Sequence, residues 1–480
     1  MSKLEQVEEF ARQSGLFPLR EPQRRALAAL FSGKDLLLVW PTGSGKSLCY
    51  QLPSLVLEGL TVVISPLIAL MEDQVAKGRA LKWPVTCVHS GVAKADREKR
   101  LARVARGEIK LLYVTPERFR QEEFCGLLKS VKVSLLAIDE AHCISQWGHD
   151  FRPDYTRVGE IRTQLGNPQV VALTATATRE VQVDILSQLH APNAETMWEG
   201  VERPGLHLGA EECESFDEKM VALHRWLLEV KGPKIVYFTL IGTLAKVSDL
   251  LKGLPHEVYH GDLEDRARRG AQARFLGGES ELILATPAFG LGVDKPDVRG
   301  VLHFEVPGSI EAYYQEVGRA GRDGAPAHCH LLYWQEDLAT QMRFVETHTP
   351  EPSYVRAVFK LLVDWRDRLK SVTLDDLREQ LSFKNKKDFR LETALNLLDR
   401  WDVIRWPHRR LDGLQVLRPL TEEDLSEAVW KARKLQLNKK LMALVQWFRS
   451  ERCRKLGVYE YFGWPDGEPC GFCDRCDEAK

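Results

Sequence analysis

The sequence predicts an α/β fold with two tandem parallel-sheet lobes, followed by a winged-helix-like domain and a small helical zinc-binding module. Apolar strands alternate with amphipathic helices in two successive series, the sequence becomes helix-rich after about residue 345, and four cysteines cluster near the C-terminus. Strands that alternate with helices are typical of parallel sheets, whose faces the helices cover. We therefore predict domains at 1–205, 206–345, 346–425 and 426–480.

Composition and charge are those of an ordinary globular protein. The 480 residues are 44% hydrophobic and 28% charged, and the formal net charge is −1. No uncharged apolar run approaches the roughly 18 residues of a membrane helix. The polar, acidic N-terminus is unlike a signal peptide, so we expect a cytoplasmic, nucleoid-associated protein without membrane contact.

Two series of apolar runs predict the strands of the two lobes. Residues 1–35 are predicted to be mostly helical, and a polar stretch at about 192–218 is predicted to be a linker. The strands of the first lobe are predicted at 36–39, 61–64, 85–89, 111–114, 133–138 and 170–173. Those of the second lobe are predicted at 235–238, 258–260, 282–285, 301–304 and 330–333.

Residues 40–47 (WPTGSGKS) follow the first strand and form a variant P-loop, because the strict pattern has glycine where Trp40 stands. Glycines allow a tight turn whose N–H groups face a phosphate chain. We expect Lys46 to reach the β and γ phosphates and Ser47 to hold Mg²⁺. The other residues of the predicted phosphate cradle are Thr42, Gly43, Ser44 and Gly45.

Two adjacent acids follow the fifth predicted strand, in residues 139–142 (DEAH). Asp139 suits the Mg²⁺ shell, and Glu140 suits the base that orients and deprotonates the attacking water. Acids at a strand end are also common in solvated loops. Because these acids come ninety-odd residues after a P-loop, the two motifs together predict hydrolysis of a nucleoside triphosphate.

The second lobe supplies residues 315–324 (QEVGRAGRDG), with Arg319 and Arg322 three positions apart in a helix start or turn. An arginine that reached from the second lobe across the cleft between the lobes to the γ-phosphate would stabilise the negative charge of the transition state. The spacing does not decide which of the two arginines does so.

After about residue 345, helices are predicted at 353–369, 373–381 and 387–401, and short strands at 403–406 and 414–417. Three helices followed by a basic hairpin indicate a winged helix, which binds DNA through a groove or a duplex end. A small protein-interaction domain is the alternative.

The C-terminal region combines basic residues with cysteines. Residues 430–455 carry nine Lys or Arg against one acid, which indicates either a nucleic-acid contact or a solvated helix face. Four cysteines then have the spacing C-x16-C-x2-C-x2-C, which suits tetrahedral zinc, with an Fe–S cluster as the competitor. These predicted ligands are Cys453, Cys470, Cys473 and Cys476.

Taken together, the motifs resemble those of superfamily 2 helicases and specifically of the RecQ family of DNA helicases. Residues 145–153 (SQWGHDFRP) are similar to the family's aromatic-rich loop, which joins binding of single-stranded DNA to ATP hydrolysis. Trp147 and Phe151 can stack on bases and Arg152 can meet a phosphate, with His149 between them. The other similar segments are 41–47 (motif I), 65–74 (Ia), 115–118 (Ib), 139–142 (II), 173–178 (III), 285–296 (V) and 313–324 (VI).

The resemblance implies RecA-like lobes that unwind DNA 3′→5′ at the expense of ATP, in repair and recombination. It implies ATP, Mg²⁺ and Zn²⁺ as cofactors, and Gln23 and Arg20 as adenine contacts, although Leu16 stands where the family usually has an aromatic residue. It adds His142 and Gln315 to the catalytic residues and Asp294 to the nucleotide contacts. The chain resembles a short form, with the winged-helix-like segment before the zinc site and no HRDC domain.

Two other functions remain open at this stage. The motifs are shared across the superfamily, so an RNA helicase or a translocase that does not unwind is the alternative enzyme. An ATP-gated scaffold is the non-enzymatic alternative, which the intact Glu140, Arg319 and Arg322 disfavour. We expect single-stranded DNA and duplex junctions as partners, and single-strand-binding or recombination proteins as further partners of unknown identity.

Overall fold

A computed structural model describes residues 1–145, 155, 157–200, 203–290, 295–381, 389–406, 410–464 and 467–478. It divides into two compact units, one of residues 1–334 with 446–480 and the other of residues 335–445. Among the described residues, no helix combines the length and the apolar character needed to cross a bilayer.

The first lobe is a seven-stranded, all-parallel sheet in the order β3-β4-β2-β5-β6-β1-β7. Its strands are β1 (Leu36–Val39), β2 (Leu60–Ile64), β3 (Val85–Val88), β4 (Leu111–Val114), β5 (Val133–Ile138), β6 (Gln169–Thr174) and β7 (Glu195–Trp198). Its helices are α1 (Lys3–Gln13), α2 (Glu21–Phe31), α3 (Leu48–Val56), α4 (Ile68–Ala80), α5 (Lys94–Ala105), α6 (Glu122–Ser130), α7 (Val158–Gln164) and α8 (Arg179–Gln188).

Helices cover both faces of this sheet. Leu37 and Val39 of β1 are buried in one apolar cluster and Leu36 and Leu38 in another. Successive side chains of a strand point to opposite faces, so an uninterrupted apolar run needs a core on each side. The continuous runs in the sequence therefore predicted β1 to β6 correctly.

The second lobe is a six-stranded, all-parallel sheet in the order β10-β11-β9-β12-β13-β8. Its strands are β8 (Leu206–Glu212), β9 (Lys234–Tyr237), β10 (Glu257–Tyr259), β11 (Leu282–Ala285), β12 (Gly300–His303) and β13 (Ala327–Tyr333). Its helices are α9 (Phe216–Glu229), α10 (Ile241–Leu250), α11 (Asp265–Gly277) and α12 (Ile310–Val317).

The linker predicted at 192–218 is wrong in part. This stretch contributes β7 to the edge of the first sheet and β8 to the edge of the second. Both strands are amphipathic and less buried than the central strands, which is why their sequence looked polar. The segment that connects the lobes is correspondingly short, from Glu199 to Gly205.

Among its described residues, the second compact unit contains four α-helices and a short antiparallel hairpin, and the last three of these helices with the hairpin follow the order predicted for a winged helix. The elements wholly within it are α13 (Asp337–His348), α14 (Pro352–Asp364), α15 (Leu374–Leu381), α16 (Arg390–Arg400), β14 (Ile404–Arg405) and β15 (Gln415–Val416). The remaining helices are α17 (Glu427–Arg449), α18 (Arg454–Tyr461) and α19 (Asp474–Glu478). The winged-helix interpretation stays a prediction.

Candidate functional site

The P-loop turns tightly between β1 and α3. Gly43 and Gly45 have φ angles of 80° and 76°, in the left-handed region that favours glycine. A Cβ on Gly45 would lie 2.5 Å from Nε2 of Gln23, so a larger residue here would displace the end of the Gln23 side chain. The hydroxyl of Ser44 is buried and has no hydrogen-bond partner among the described residues, as expected of a group in an anion cradle.

Lys46 lies inside the P-loop, where its Nζ donates to the carbonyl oxygens of Trp40 at 2.7 Å and Pro41 at 3.0 Å. Burial lowers the pKa of Lys46 to about 8, although the negative charges of Glu140 and Asp139 oppose the fall. Both acids are therefore close enough to act on the lysine. The P-loop and the DEAH segment form one site at the carboxyl ends of β1 and β5.

Gln23, on α2, is hydrogen-bonded to the P-loop. Its Nε2 donates to the carbonyl oxygen of Gly45 at 3.2 Å, and its Oε1 accepts from the backbone N–H of Arg20 at 2.9 Å. Gln23 is buried whereas Arg20 is exposed. The structure thus brings Gln23 to the P-loop, and the adenine contact of both residues remains a prediction.

Asp139 and Glu140 lie at the end of β5, facing Lys46. Burial is the main cause that raises the pKa of Asp139 to about 7, and the negative charge of Glu140 is the second cause. The positive charge of Lys46 opposes this rise. The Ser65 hydroxyl donates to Asp139 Oδ2 at 3.3 Å. A carboxylate held in this way can take a divalent cation, because the cation's charge compensates for the lost hydration.

Glu140 adopts a left-handed backbone conformation, with φ 49° and ψ 50°. Such a conformation is costly for a residue other than glycine and is concentrated at functional sites. The Glu140 carboxylate lies 3.3 Å from Nδ1 of His142, which is also 3.0 Å from Oγ1 of Thr174. The buried His142 therefore connects the proposed base to the end of β6, a contact that the sequence did not indicate.

The two motif VI arginines occupy different surroundings. α12 ends at Val317, so both follow the C-terminus of a helix. Arg322 lies against the P-loop, where a Cβ on Gly43 would be 3.6 Å from Arg322 Cγ, and its charge contributes to lowering the pKa of Lys46. Arg319 is buried in the second lobe, where it is hydrogen-bonded to the Tyr237 side chain. Gln315 is half-buried on α12.

Arg203 was missed by sequence reasoning. It lies in the short connection between the lobes, and its guanidinium donates to the carbonyl oxygens of Thr42 at 3.1 Å, Gly318 at 3.2 Å and Ala320 at 2.6 Å. Thr42 belongs to the P-loop, and the other two carbonyls flank Arg319. No spacing could have indicated this residue, because its partners are backbone groups more than 100 positions away in the sequence.

We expect Arg203→Met to lower kcat for ATP hydrolysis by at least about tenfold, with a smaller change in nucleotide affinity. Hydrogen bonds from a charged donor stabilise by about 1.5–3 kcal/mol each, and here they hold the P-loop against the motif VI turn. Steady-state ATPase assays and a fluorescent-nucleotide titration measure the two quantities. Arg225→Met, which removes an exposed ion pair with Glu211, is the control, and equal kcat values for both variants would contradict this role.

The four C-terminal cysteines come together as a metal site. Their Sγ atoms all lie within 4.8 Å of one another, with Cys473–Cys453 at 3.9 Å and Cys470–Cys476 at 4.0 Å. Tetrahedral zinc with Zn–S bonds of about 2.3 Å requires sulfurs about 3.8 Å apart. The cluster therefore fits a metal ion such as zinc, and the remaining cysteines of the chain lie outside it.

The predicted DNA-contacting residues Trp147, His149, Phe151 and Arg152 and the predicted nucleotide contact Asp294 lie outside the described residues. Their roles stay predictions.

Comparisons with known proteins match the segments that form this site to helicase domains. The DEAD/DEAH box helicase model matches residues 20–183, and the helicase conserved C-terminal domain model matches residues 218–324. A probable ATP-dependent DNA helicase RecS of Bacillus subtilis is 38% identical over 372 residues, covering 77% of this chain and 74% of the relative. ATP-dependent DNA helicase RecQ of Synechocystis is 33% identical over 495 residues, covering 99% of each chain.

Other relatives match over a shorter part. ATP-dependent DNA helicase RecQ of Haemophilus influenzae is 40% identical over 328 residues, which are 68% of this chain but only 52% of that relative. Among solved structures, Mss116p bound to single-stranded RNA and AMP-PNP has a TM-score of 0.59 at 16% identity, covering 82% of this chain and 89% of that one. At this identity the likeness concerns the fold of the two lobes alone.

Proposed function

The chain belongs to the RecQ family of ATP-dependent DNA helicases, and from that premise we propose that it moves 3′→5′ along single-stranded DNA and unwinds duplex or branched DNA in repair and recombination. The observation that supports its ATP-driven part is that Lys46, Asp139 and Glu140 of one lobe lie near Arg322 of the other. The proposal includes a cytoplasmic, nucleoid-associated location.

The proposed hydrolysis uses the residues in the following way. Lys46 exchanges its two carbonyl partners for oxygens of the β and γ phosphates, because a phosphate offers the buried ammonium group a stronger partner. Ser47 and Asp139 would hold Mg²⁺, which neutralises charge on the phosphates. Glu140 accepts a proton from the attacking water, and His142 orients its carboxylate.

Arg322 is our candidate for the arginine that reaches the γ-phosphate. The Arg322 side chain already lies over the P-loop. Hydrolysis would remove the γ-phosphate, whose negative charge Arg322 would bind. Arg319 instead supports the motif VI turn from within the second lobe, through Tyr237. Closure and opening of the lobes would follow binding and release of the γ-phosphate.

For the DNA path we propose motifs Ia and Ib of the first lobe with the aromatic-rich loop at 145–153. The winged-helix-like unit and the zinc module are proposed to contact the duplex ahead of the single strand. Single-strand-binding or recombination proteins of unknown identity are the protein partners that we propose.

The decisive experiment measures steady-state ATP hydrolysis without nucleic acid, with single-stranded DNA and with RNA of equal length. We expect strong stimulation by DNA, little by RNA, and loss of the stimulation in Trp147→Ala, because the loop would no longer stack on bases. Stimulation by RNA alone would favour the RNA-helicase alternative. Equal hydrolysis with and without DNA would favour the scaffold.

Strand displacement from a 3′-tailed duplex tests direction and unwinding. The wild-type protein should displace the strand with a 3′ tail and not with a 5′ tail, and Lys46→Ala should displace neither. DNA-stimulated hydrolysis without displacement would identify a translocase that does not unwind.

A further inference from the structure

The zinc module, by which we mean the described residues 446–464 and 467–478, packs against the second lobe beside the connection between the lobes. Arg454 is fully buried and pairs with Asp474, with contacts of 3.0–3.1 Å, and Asp474 Oδ2 also accepts from the backbone N–H of Ala210 on β8 at 3.0 Å. Leu208 of β8 forms an isolated parallel bridge with Cys473, a predicted zinc ligand. The module is therefore joined to the strand that begins directly after the interlobe connection.

The module contacts both the interlobe connection and the strand that precedes it. Lys455, which is 3% exposed, donates from Nζ to the carbonyl oxygen of Pro204 at 3.0 Å. On the first-lobe side, the Trp464 ring stacks on Trp198 of β7, with centroids 5.9 Å apart and planes within 6°. A buried ammonium group must have a partner, so the contact of Lys455 with Pro204 is a costly one to lose.

The same module contacts the helix that leads into motif VI. Tyr314 of α12 packs edge-on against Phe462, with centroids 5.4 Å apart, and Tyr313 packs against Trp447 at 4.9 Å. Lys455, Arg203 and Tyr314 also line one small cavity. The connection, the motif VI helix and the module thus form a single packed junction.

We propose that Lys455 is a positioning residue for ATP hydrolysis, which acts by holding the interlobe connection so that Arg203 spans the P-loop and the motif VI turn. Pro204 follows Arg203 directly, so a shift of the Pro204 carbonyl moves the origin of the Arg203 side chain. The zinc module thereby contributes to the ATP site, without touching nucleotide. This inference rests on the proposed ATPase function.

The test compares Lys455→Met with Lys455→Arg and with Glu460→Gln, which weakens an exposed ion pair with Arg452 in the same module. We expect Lys455→Met to lower kcat about tenfold, with zinc content of one equivalent retained. Lys455→Arg should restore most of the activity, and Glu460→Gln should match the wild type. A Lys455→Met variant with wild-type kcat and full zinc would overturn the proposal.

A double-mutant cycle separates this mechanism from general destabilisation. If Lys455 acts through Arg203, the kcat of Lys455→Met with Arg203→Met should equal that of Arg203→Met alone, whereas independent effects would multiply. Multiplied effects would contradict the proposal.

If Lys455→Met does not fold, Trp464→Ala replaces it, because Trp464 is 46% exposed and its truncation leaves no buried polar group unpaired. We expect a severalfold lower kcat that Trp464→Phe restores, and an unchanged kcat would overturn the proposal. Failure of the proposed function would appear separately, as a wild-type protein that does not hydrolyse ATP.

Discussion

Replacing Arg322 by alanine is expected to lower kcat for ATP hydrolysis by about 10³-fold or more, with little change in ATP affinity. An arginine that meets the γ-phosphate acts mainly in the transition state, and its removal costs about 10³–10⁵ in kcat in related phosphoryl-transfer sites. Arg322 is the motif VI arginine that lies against Gly43 of the P-loop. Single-turnover ATP hydrolysis, with nucleotide affinity measured separately, checks the prediction.

Arg319→Ala provides the comparison for this experiment. Arg319 is buried beside Tyr237, so we expect a lower melting temperature and a smaller fall in kcat than for Arg322→Ala. The affinity for ADP with a γ-phosphate mimic such as aluminium fluoride should fall in the Arg322 variant far more than the affinity for ADP. A larger loss of that affinity in Arg319→Ala would reverse the assignment of the two arginines.

Cys473→Ser is expected to lose the single metal equivalent and to unfold the C-terminal module. Binding of structural zinc in small modules corresponds to about 10–16 kcal/mol, so most of the module's stability depends on it. Because Cys473 also pairs with Leu208, the loss should expose the edge of β8 and promote aggregation. Elemental analysis and thermal unfolding measure both consequences.

The matched control is Cys125→Ser, since Cys125 is a partly buried thiol outside the cluster. It should retain one zinc per chain and the wild-type melting temperature within a few degrees. Iron together with acid-labile sulfide, in place of zinc in the wild-type protein, would show that the site holds an Fe–S cluster. Full zinc content in Cys473→Ser would contradict the predicted ligand set.

The strands of both sheets show what the pattern of apolar residues in the sequence can predict. The central strands were found to within two or three residues because each is a continuous apolar run, as strands buried on both faces must be. The strands β7 and β8 were missed because their burial is mixed and their sequences include polar residues, whereas β3 and β10, at the opposite edges of the two sheets, were predicted. Helix α13 was missed as well, because Asp337 and Gln341, two of its three buried residues, are polar.

The candidate site divides in a similar way. The P-loop, the DEAH acids, the motif VI arginines and the cysteine cluster were predicted because their chemistry requires particular side chains at short, regular spacings. Arg203 and Lys455 could not be predicted, because both donate to backbone carbonyls, which any residue at the partner position could supply.

By itself, the sequence determined the two-lobe α/β class and the family to which the chain belongs, and it predicted the residues that would meet nucleotide and metal. Those features follow from hydrophobic periodicity and from local motifs, each of which lies within a few dozen consecutive residues. The tertiary structure alone decided that Arg322, and not Arg319, lies over the P-loop, and that Lys455 of the C-terminal module donates to the Pro204 carbonyl in the connection between the lobes. These contacts join segments more than 100 residues apart, so no local pattern of the sequence could indicate them.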